Sequence, residues 1–374
     1  EWGHERVDGW GHWIDQAQTA GDLVGEAALG AASGQVLVCD TVSVNFYQLC
    51  TAAIKARPGR KKVIIDSANF PTDRYVLEGI ADQHGLELIT LSSDGASGPG
   101  AVAIDSEHEL ITPEALAPHL DEDVALLTLQ AINYRSGCRQ DIKAITDLAR
   151  SMGILVVWDC SHAVGSIKLD LDENGVDLAV GCTYKYGNSG PGSPAWLYVR
   201  KELQRELRVP IQGWFAQEKQ FEMGPFFEPS NEIRRFQIAS PSIIGIRGVE
   251  VAFEMIRDAG IENIEAKAAI GTQLMIRLAE QWLTELGFTL ATPQEPKKRG
   301  GHIILQHEDA KQIALALRKL KKVIPDYREP GAIRLAVSPL PTSFEEVYEG
   351  FQRLRDLVAT GEYKQVATDG NRVT

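Results

Sequence analysis

Between Val36 and Val199 the chain alternates short apolar runs with longer amphipathic stretches. The runs at 36–39, 63–66, 86–91, 124–129, 154–158, 178–181 and 196–199 are too short for helices and rich in Val, Ile and Leu, which predicts strands. The stretches at 43–56, 72–84 and 141–152 carry apolar residues at helical spacing and predict helices. Strands that are apolar throughout, rather than alternating, belong to a sheet covered on both faces. Separated by helices, they read as βαβ units around a largely parallel sheet. Ligands in such sheets gather beyond the carboxyl ends of the strands. Asp66, Asp159 and the turn Thr183-Tyr184-Lys185 all fall there.

Past Gln220 the texture changes. Residues 222–231 are rich in Pro, Phe and Glu and read as an irregular loop, and 293–299 as a charged surface loop. Amphipathic helices are predicted at 243–259 and 264–286, then a strand at 302–306, a helix at 310–320, a strand at 333–336 and a helix at 344–359. The expected division is a large α/β domain over 20–240 and a smaller α+β domain formed by 1–19 and 241–363 with connecting helices. A disordered tail is expected over 364–374.

Composition narrows the partners. A chain of 374 residues with 44% hydrophobic content can bury a large core. Its net charge of −13 argues against nucleic acid, whose non-specific binding rests on Lys and Arg neutralising phosphates. No apolar run approaches the roughly 18 residues that span a bilayer, so no membrane association is expected. No secretory leader is visible, and the five cysteines are odd in number and contain no CxxC pair. That usage suits a reducing cytoplasm and offers neither a disulfide framework nor a zinc site.

The chemistry concentrates in Trp158-Asp159-Cys160-Ser161-His162 and Cys182-Thr183-Tyr184-Lys185-Tyr186-Gly187. A lone lysine is usually a solvated charge, and an aspartate after a strand is often a turn residue. Here the two close neighbouring strands, and the lysine is flanked by aromatics and glycine, which keep water from it. A desolvated lysine is a better nucleophile, because burial disfavours the ammonium. Such a lysine can join the aldehyde of pyridoxal 5'-phosphate (PLP), and such an aspartate can keep the pyridine nitrogen protonated.

Other positions suit the same cofactor. Ser43 opens a helix after Asp40-Thr41-Val42, where N–H groups favour a phosphate, although an ordinary N-cap explains it as well. Phe70, in Asn69-Phe70-Pro71-Thr72-Asp73, can stack on the ring or pack in the core, and Thr72 or Asp73 can cap the next helix. His162 can bond the cofactor or a loop carbonyl. Trp214 can offer an N–H to the phosphate or simply pack, and Ser240 can offer a hydroxyl or serve as a loop or cap residue. Arg334 lies in an apolar strand and needs an anion, either a substrate carboxylate or an internal ion-pair partner.

In order and spacing these motifs are similar to those of the kynureninase family, within the PLP-dependent fold-type I (aspartate aminotransferase-like) superfamily. The resemblance is carried by TVSVN at 41–45, NFPTD at 69–73, NYRSG at 133–137, WDCSHAVG at 158–165, CTYKYGNSGPGS at 182–193, GWF at 213–215, FEPSN at 227–231 and SPLPTSF at 338–344. It implies a PLP-dependent transferase-like fold and hydrolysis of L-kynurenine, or of 3-hydroxykynurenine, to the anthranilate and L-alanine. It also implies a place in tryptophan catabolism or NAD biosynthesis. By resemblance Lys185 carries the cofactor, Asp159 supports its ring nitrogen with His162 beside it, and Phe70 stacks on it. Val42, Ser43, Asp73, Tyr184, Trp214 and Ser240 match cofactor-contacting positions, and Tyr184 is also a catalytic candidate. Arg334 matches the carboxylate clamp, and His4 and Tyr134 match positions near the substrate's ring. A homodimer with shared active sites is implied as well.

The chain departs from the family at Gln130, where relatives have Ser or Thr, at Ser240, which replaces Asn or Thr, and at Gly187, which replaces Leu. A glycine-rich segment expected upstream of Glu1 is not seen, so the substrate end of the site is expected to be incomplete. Alternatives on the same fold are a cysteine desulfurase or selenocysteine lyase, opposed by the lack of any cysteine after Cys182, and an aminotransferase. A non-catalytic PLP-binding regulator is the alternative of another class.

Overall fold

The computed structural model describes residue 4 and residues 9–91 and 109–367. Seven strands form the main sheet: β1 (Val36–Val38), β2 (Lys62–Asp66), β3 (Glu87–Leu91), β4 (Val124–Gln130), β5 (Leu155–Asp159), β6 (Leu178–Gly181) and β7 (Trp196–Val199). Their order is β1-β7-β6-β5-β4-β2-β3. The pairs among β3, β2, β4, β5 and β6 are parallel, and only β7 runs against its neighbours β6 and β1. All seven predicted strands are present, and the mostly parallel α/β sheet is the expected fold class.

The central strands are buried along their whole length because helices cover both faces. Every residue of β4, Val-Ala-Leu-Leu-Thr-Leu-Gln, is buried, as is every residue of β5. Trp158 shows how a polar atom is accommodated in this core: its indole Nε1 donates to Thr146 Oγ1 at 3.1 Å. The crossover helices fall within a residue or two of expectation, at Val42–Lys55, Pro71–His84 and Ile142–Ser151. Because β7 is antiparallel to both β6 and β1, β1 points the same way as β6. The carboxyl ends of β1, β2, β4, β5 and β6 therefore share one edge.

A second sheet, with order β10-β11-β9-β8, is antiparallel and consists of β8 (Thr289–Leu290), β9 (His302–Gln306), β10 (Asp326–Arg328) and β11 (Ala332–Ala336). Helices Ile261–Trp282 and Phe344–Ala359 pack against each other and share a separate apolar cluster with this sheet. The latter helix opens with a reciprocal capping box between Ser343 and Glu346. Strands β8 and β10 escaped the sequence pattern because they are short and partly polar. Three further expectations are corrected. Arg299 is not a surface residue but is buried, with its guanidinium on Thr272, Gln273 and backbone carbonyls. Helix 310–320 changes to a π-turn at Leu317–Lys321. Lys364 and Gln365, expected in a frayed tail, lie in a 3-10 turn over Glu362–Gln365, and the carbonyls of Lys364 and of Val366 just after it accept from Gln312. Residues 368–374 lie outside the described residues.

Asp66 ends β2 fully buried, and desolvation, followed by the charge of Glu109, raises its carboxyl to about 7. A folded-state pKa above the unfolded one means that the folded chain holds the extra proton between the two values. This stabilisation is complete at low pH and is lost as pH rises through about 7. Asp66→Asn cannot ionise. Between pH 5 and pH 8 its unfolding free energy should fall less than the wild type's, by roughly 2–3 kcal/mol. Urea melts at the two pH values test this, and equal losses in the two proteins would contradict it.

Candidate active site

The loop after β5 and the loop after β6 lie against each other. Gly165 sits at φ +80°, and a Cβ there would stand 2.6 Å from the carbonyl oxygen of Tyr186. Gly187 is equally confined, since its Cβ would stand 2.4 Å from the Thr183 carbonyl oxygen. The departure from Leu at 187 therefore belongs to a tightly folded loop. Thr183 is anchored by its hydroxyl to Pro194 O at 2.7 Å and Ser193 Oγ at 2.8 Å. Lys185 thus projects from a fixed backbone.

The Lys185 amine lies 5.9 Å from the centre of the Phe70 ring and 5.6 Å from that of Tyr184. Lys185 is half-buried, and no hydrogen bond or ion pair holds its amine among the described residues. Asp73 and Asp159 are buried. Asp159 Oδ1 accepts the Ser161 N–H at 2.8 Å. Asp73 is not a helix cap. Its Oδ2 has no donor, and its carboxyl is pushed well above the usual range by burial, then by the charge of Asp159, against the opposing pull of Lys185. Asp66 adds to the same repulsion. Two adjacent buried carboxyls with one unpaired oxygen form a seat for a proton or a cation.

Tyr134 stands edge-on to Phe70, with ring centres 5.3 Å apart, and its N–H donates to Gln130 Oε1 at 3.1 Å. His162 is buried, and its Nε2 is 3.1 Å from Arg334 Nη1. A guanidinium only donates, so Nε2 accepts and the ring is neutral with its proton on Nδ1. Burial, then the charges of Lys185 and Arg334, hold its pKa well below the usual value. Tyr184 is half-exposed, and its phenol is raised to about 12, chiefly by desolvation, so it keeps its proton at neutral pH.

Arg334 reaches the cleft, but its fork is engaged. It pairs with Asp326 and donates to Tyr134 O at 2.6 Å. Sequence reasoning missed Asp326 and Arg328. Their alternation on the short β10, followed by Glu-Pro-Gly, was the available signal. Ser43 is not the cap of its helix. The N-cap is Thr41, whose hydroxyl accepts from Val44 N–H at 3.3 Å. This leaves the N–H groups of Val42 and Ser43 and the Ser43 hydroxyl without partners among the described residues, at the same sheet edge as Asp159.

Three positions share no hydrogen bond, ion pair or ring contact with Lys185 among the described residues. Ser240 lines a cavity of about 160 Å³ with Cys39, Asp40 and Pro194. Trp214, 43% exposed, packs on Phe215 and Phe221. His4 is exposed, and no hydrogen bond or ring contact ties it to the described cleft.

The arrangement fits PLP. A carboxylate seat suits its ring nitrogen, Phe70 offers a ring face, Lys185 suits its aldehyde, and the free N–H groups at Val42 and Ser43 suit its phosphate. No group of three or more His, Cys, Asp or Glu is placed to hold a metal among the described residues.

The fold is that of the PLP-dependent fold-type I enzymes. A cysteine desulfurase from Thermococcus onnurineus NA1 superposes with a TM-score of 0.79 at 16% identity, covering 96% of this chain and 87% of that one. An alanine–glyoxylate aminotransferase from Nostoc sp. gives 0.68 at 18% identity, covering 93% and 86%. These likenesses define the architecture, and sequence goes further. Residues 264–354 match the family model of the kynureninase C-terminal domain. The kynureninase of Pseudomonas fluorescens is 34% identical over 96% of this chain and 83% of its own length. That of Geobacillus thermodenitrificans is 33% identical over 99% and 85%. The chain belongs to the kynureninase family.

Gly165→Ala, with its positive φ and a backbone carbonyl in the way, should destabilise the fold by roughly 1–3 kcal/mol. Gly79→Ala, in an exposed helical position with nothing within 4 Å, should be neutral or mildly stabilising. Thermal melts of both test the packing of the two loops, and a neutral Gly165→Ala would contradict it.

Proposed function

We propose that this chain is a PLP-dependent hydrolase that cleaves L-kynurenine to anthranilate and L-alanine. The observation that carries the proposal is the buried Asp73 carboxyl within electrostatic reach of both Asp159 and Lys185, in a chain that belongs to the kynureninase family. Lys185 would hold the cofactor's aldehyde carbon, Asp159 its ring nitrogen with Asp73 behind it, Phe70 its ring, and Val42 and Ser43 its phosphate. When bound, PLP withdraws electrons from the bonds at the α-carbon of an amino acid joined to it.

The protein's own groups supply the rest. The Lys185 amine, held by no ion pair among the described residues, takes and returns the proton at the substrate's α-carbon. Tyr184, protonated at neutral pH, donates toward the γ-carbonyl as water adds to it. Arg334 and the neutral His162 border the carboxylate end, and Tyr134 with Phe70 borders the aromatic end. Asp73 and Asp159 would favour a positive charge on the ring nitrogen, because a cation there would relieve the repulsion between two buried carboxyls.

Two copies of the chain would complete the site. Trp214 and Ser240 share no hydrogen bond, ion pair or ring contact with Lys185 among the described residues, and the partly exposed Trp214 is free to serve a neighbour's cofactor. Helix Ile243–Ala259 exposes Ile244, Val251 and Met255 along a groove shared with Trp13 and Leu340, an apolar face suited to an isologous contact. All five cysteines are free and buried, which suits a cytoplasmic setting. Among the described residues no helix is long and apolar enough to cross a membrane.

Purified protein mixed with PLP and L-kynurenine should release fluorescent anthranilate. Borohydride reduction and peptide mapping should find the cofactor on Lys185, and Lys185→Ala should abolish both signals. A label on another lysine would overturn the assignment. Light scattering at assay concentration should give a dimer, and a fully active monomer would refute the shared site.

A further inference from the structure

Arg334 and Asp326 face each other directly across the β10–β11 ladder. One oxygen of Asp326, Oδ2, receives both Nε and Nη2 of Arg334, the former at 3.0 Å. The same oxygen takes Nη2 of Arg328 at 3.3 Å. Arg328 stands two residues along β10, on the same face, with its guanidinium 5.8 Å from the centre of the Tyr134 ring. Arg334 Nη1 is directed to Tyr134 O and His162 Nε2. A single carboxylate therefore lies between two guanidiniums, and neither arginine meets another carboxylate among the described residues. Each guanidinium is permanently charged, so the trio carries one net positive charge, the complement of one carboxylate.

We propose that Asp326 is the positioning residue of the substrate-carboxylate site. It holds the Nε–Nη2 edge of Arg334 and directs the remaining corner of the fork to His162 and Tyr134, at the border of the cleft. It also lets Arg328 stand close by despite like charge, a repulsion visible in Arg328, whose pKa is lowered by burial first and by Arg334 next. The inference rests on the reading that the substrate is an α-amino acid with a free carboxylate.

Removing Asp326 has two opposed effects. It adds positive charge, which attracts a carboxylate. It also frees a guanidinium that was fixed by charge-assisted hydrogen bonds. The Asp326 side chain is 33% exposed and its charge is screened, whereas that of Arg334 is 11% exposed and loses its anchor. Loss of orientation therefore dominates.

The test is steady-state kinetics of the holoenzyme with Asp326→Asn and Asp326→Ala. KM for L-kynurenine should rise on the order of tenfold for Asn and further for Ala, with kcat within about threefold. Inhibition by the decarboxylated analogue of kynurenine, which has no carboxylate to place, should be unchanged. Unchanged or lowered KM would overturn the proposal, the latter by showing that Asp326 competes for the substrate's place. Equal weakening of the decarboxylated analogue would also overturn it, by showing a general disturbance of the site. Calorimetric binding of L-alanine to the same three proteins separates this proposal from the functional one. If the wild type does not turn kynurenine over, the substrate reading fails, while the L-alanine affinities still decide the role of Asp326.

Discussion

The structure depends on burying carboxyl groups at one edge of a parallel sheet. Asp66 ends β2, Asp159 ends β5, and Asp73 follows β2 by one turn of helix, so the topology delivers three carboxyls to one place. All three are buried. Like charges in a low-dielectric interior resist ionising together, and Asp73 records that resistance. Such a floor is costly in a plain structural protein. It becomes useful when a cationic ring nitrogen sits above it, and the amine of Lys185 stands ready at the same opening.

The rest of the site follows from how the two neighbouring loops are held. The β5 loop and the β6 loop touch through Gly165 and Tyr186, with no room for a Cβ between them. That contact fixes Lys185 relative to Asp159 without any bond between them. On the far side the second sheet brings Arg334 to His162 and Tyr134, so a chain segment distant in sequence closes the cleft. Chemistry at the lysine end and recognition at the arginine end are thus built on different sheets, and their relative placement sets which amino acid fits.

Much of this was legible in the sequence because the signals were local. Buried parallel strands are apolar throughout, so all seven stood out, and Lys185 and Asp159 could be assigned to strand ends from the runs before them. What was hidden was non-local or short. The partner of Arg334 lies across a hairpin whose first strand, Asp326–Arg328, carries two charges in three residues and does not look like a strand. Ser43 resembled a cap because Thr41, two residues earlier, looks the same by type, and only the backbone decides between them. Arg299 sat in a run of lysines and read as surface, yet the fold buries it among carbonyls. Trp214 and Ser240 match cofactor positions by resemblance alone, and among the described residues Trp214 meets Phe215 and Phe221 while Ser240 lines a cavity with Asp40.

The most direct test of the central claim is the nitrogen-15 chemical shift of isotopically labelled PLP bound to the purified protein. The buried Asp159, with Asp73 beside it, should keep the ring nitrogen protonated across the neutral range, and Asp159→Asn should release that proton at a distinctly lower pH. A ring nitrogen that is unprotonated at neutral pH with Asp73 and Asp159 intact would contradict the account.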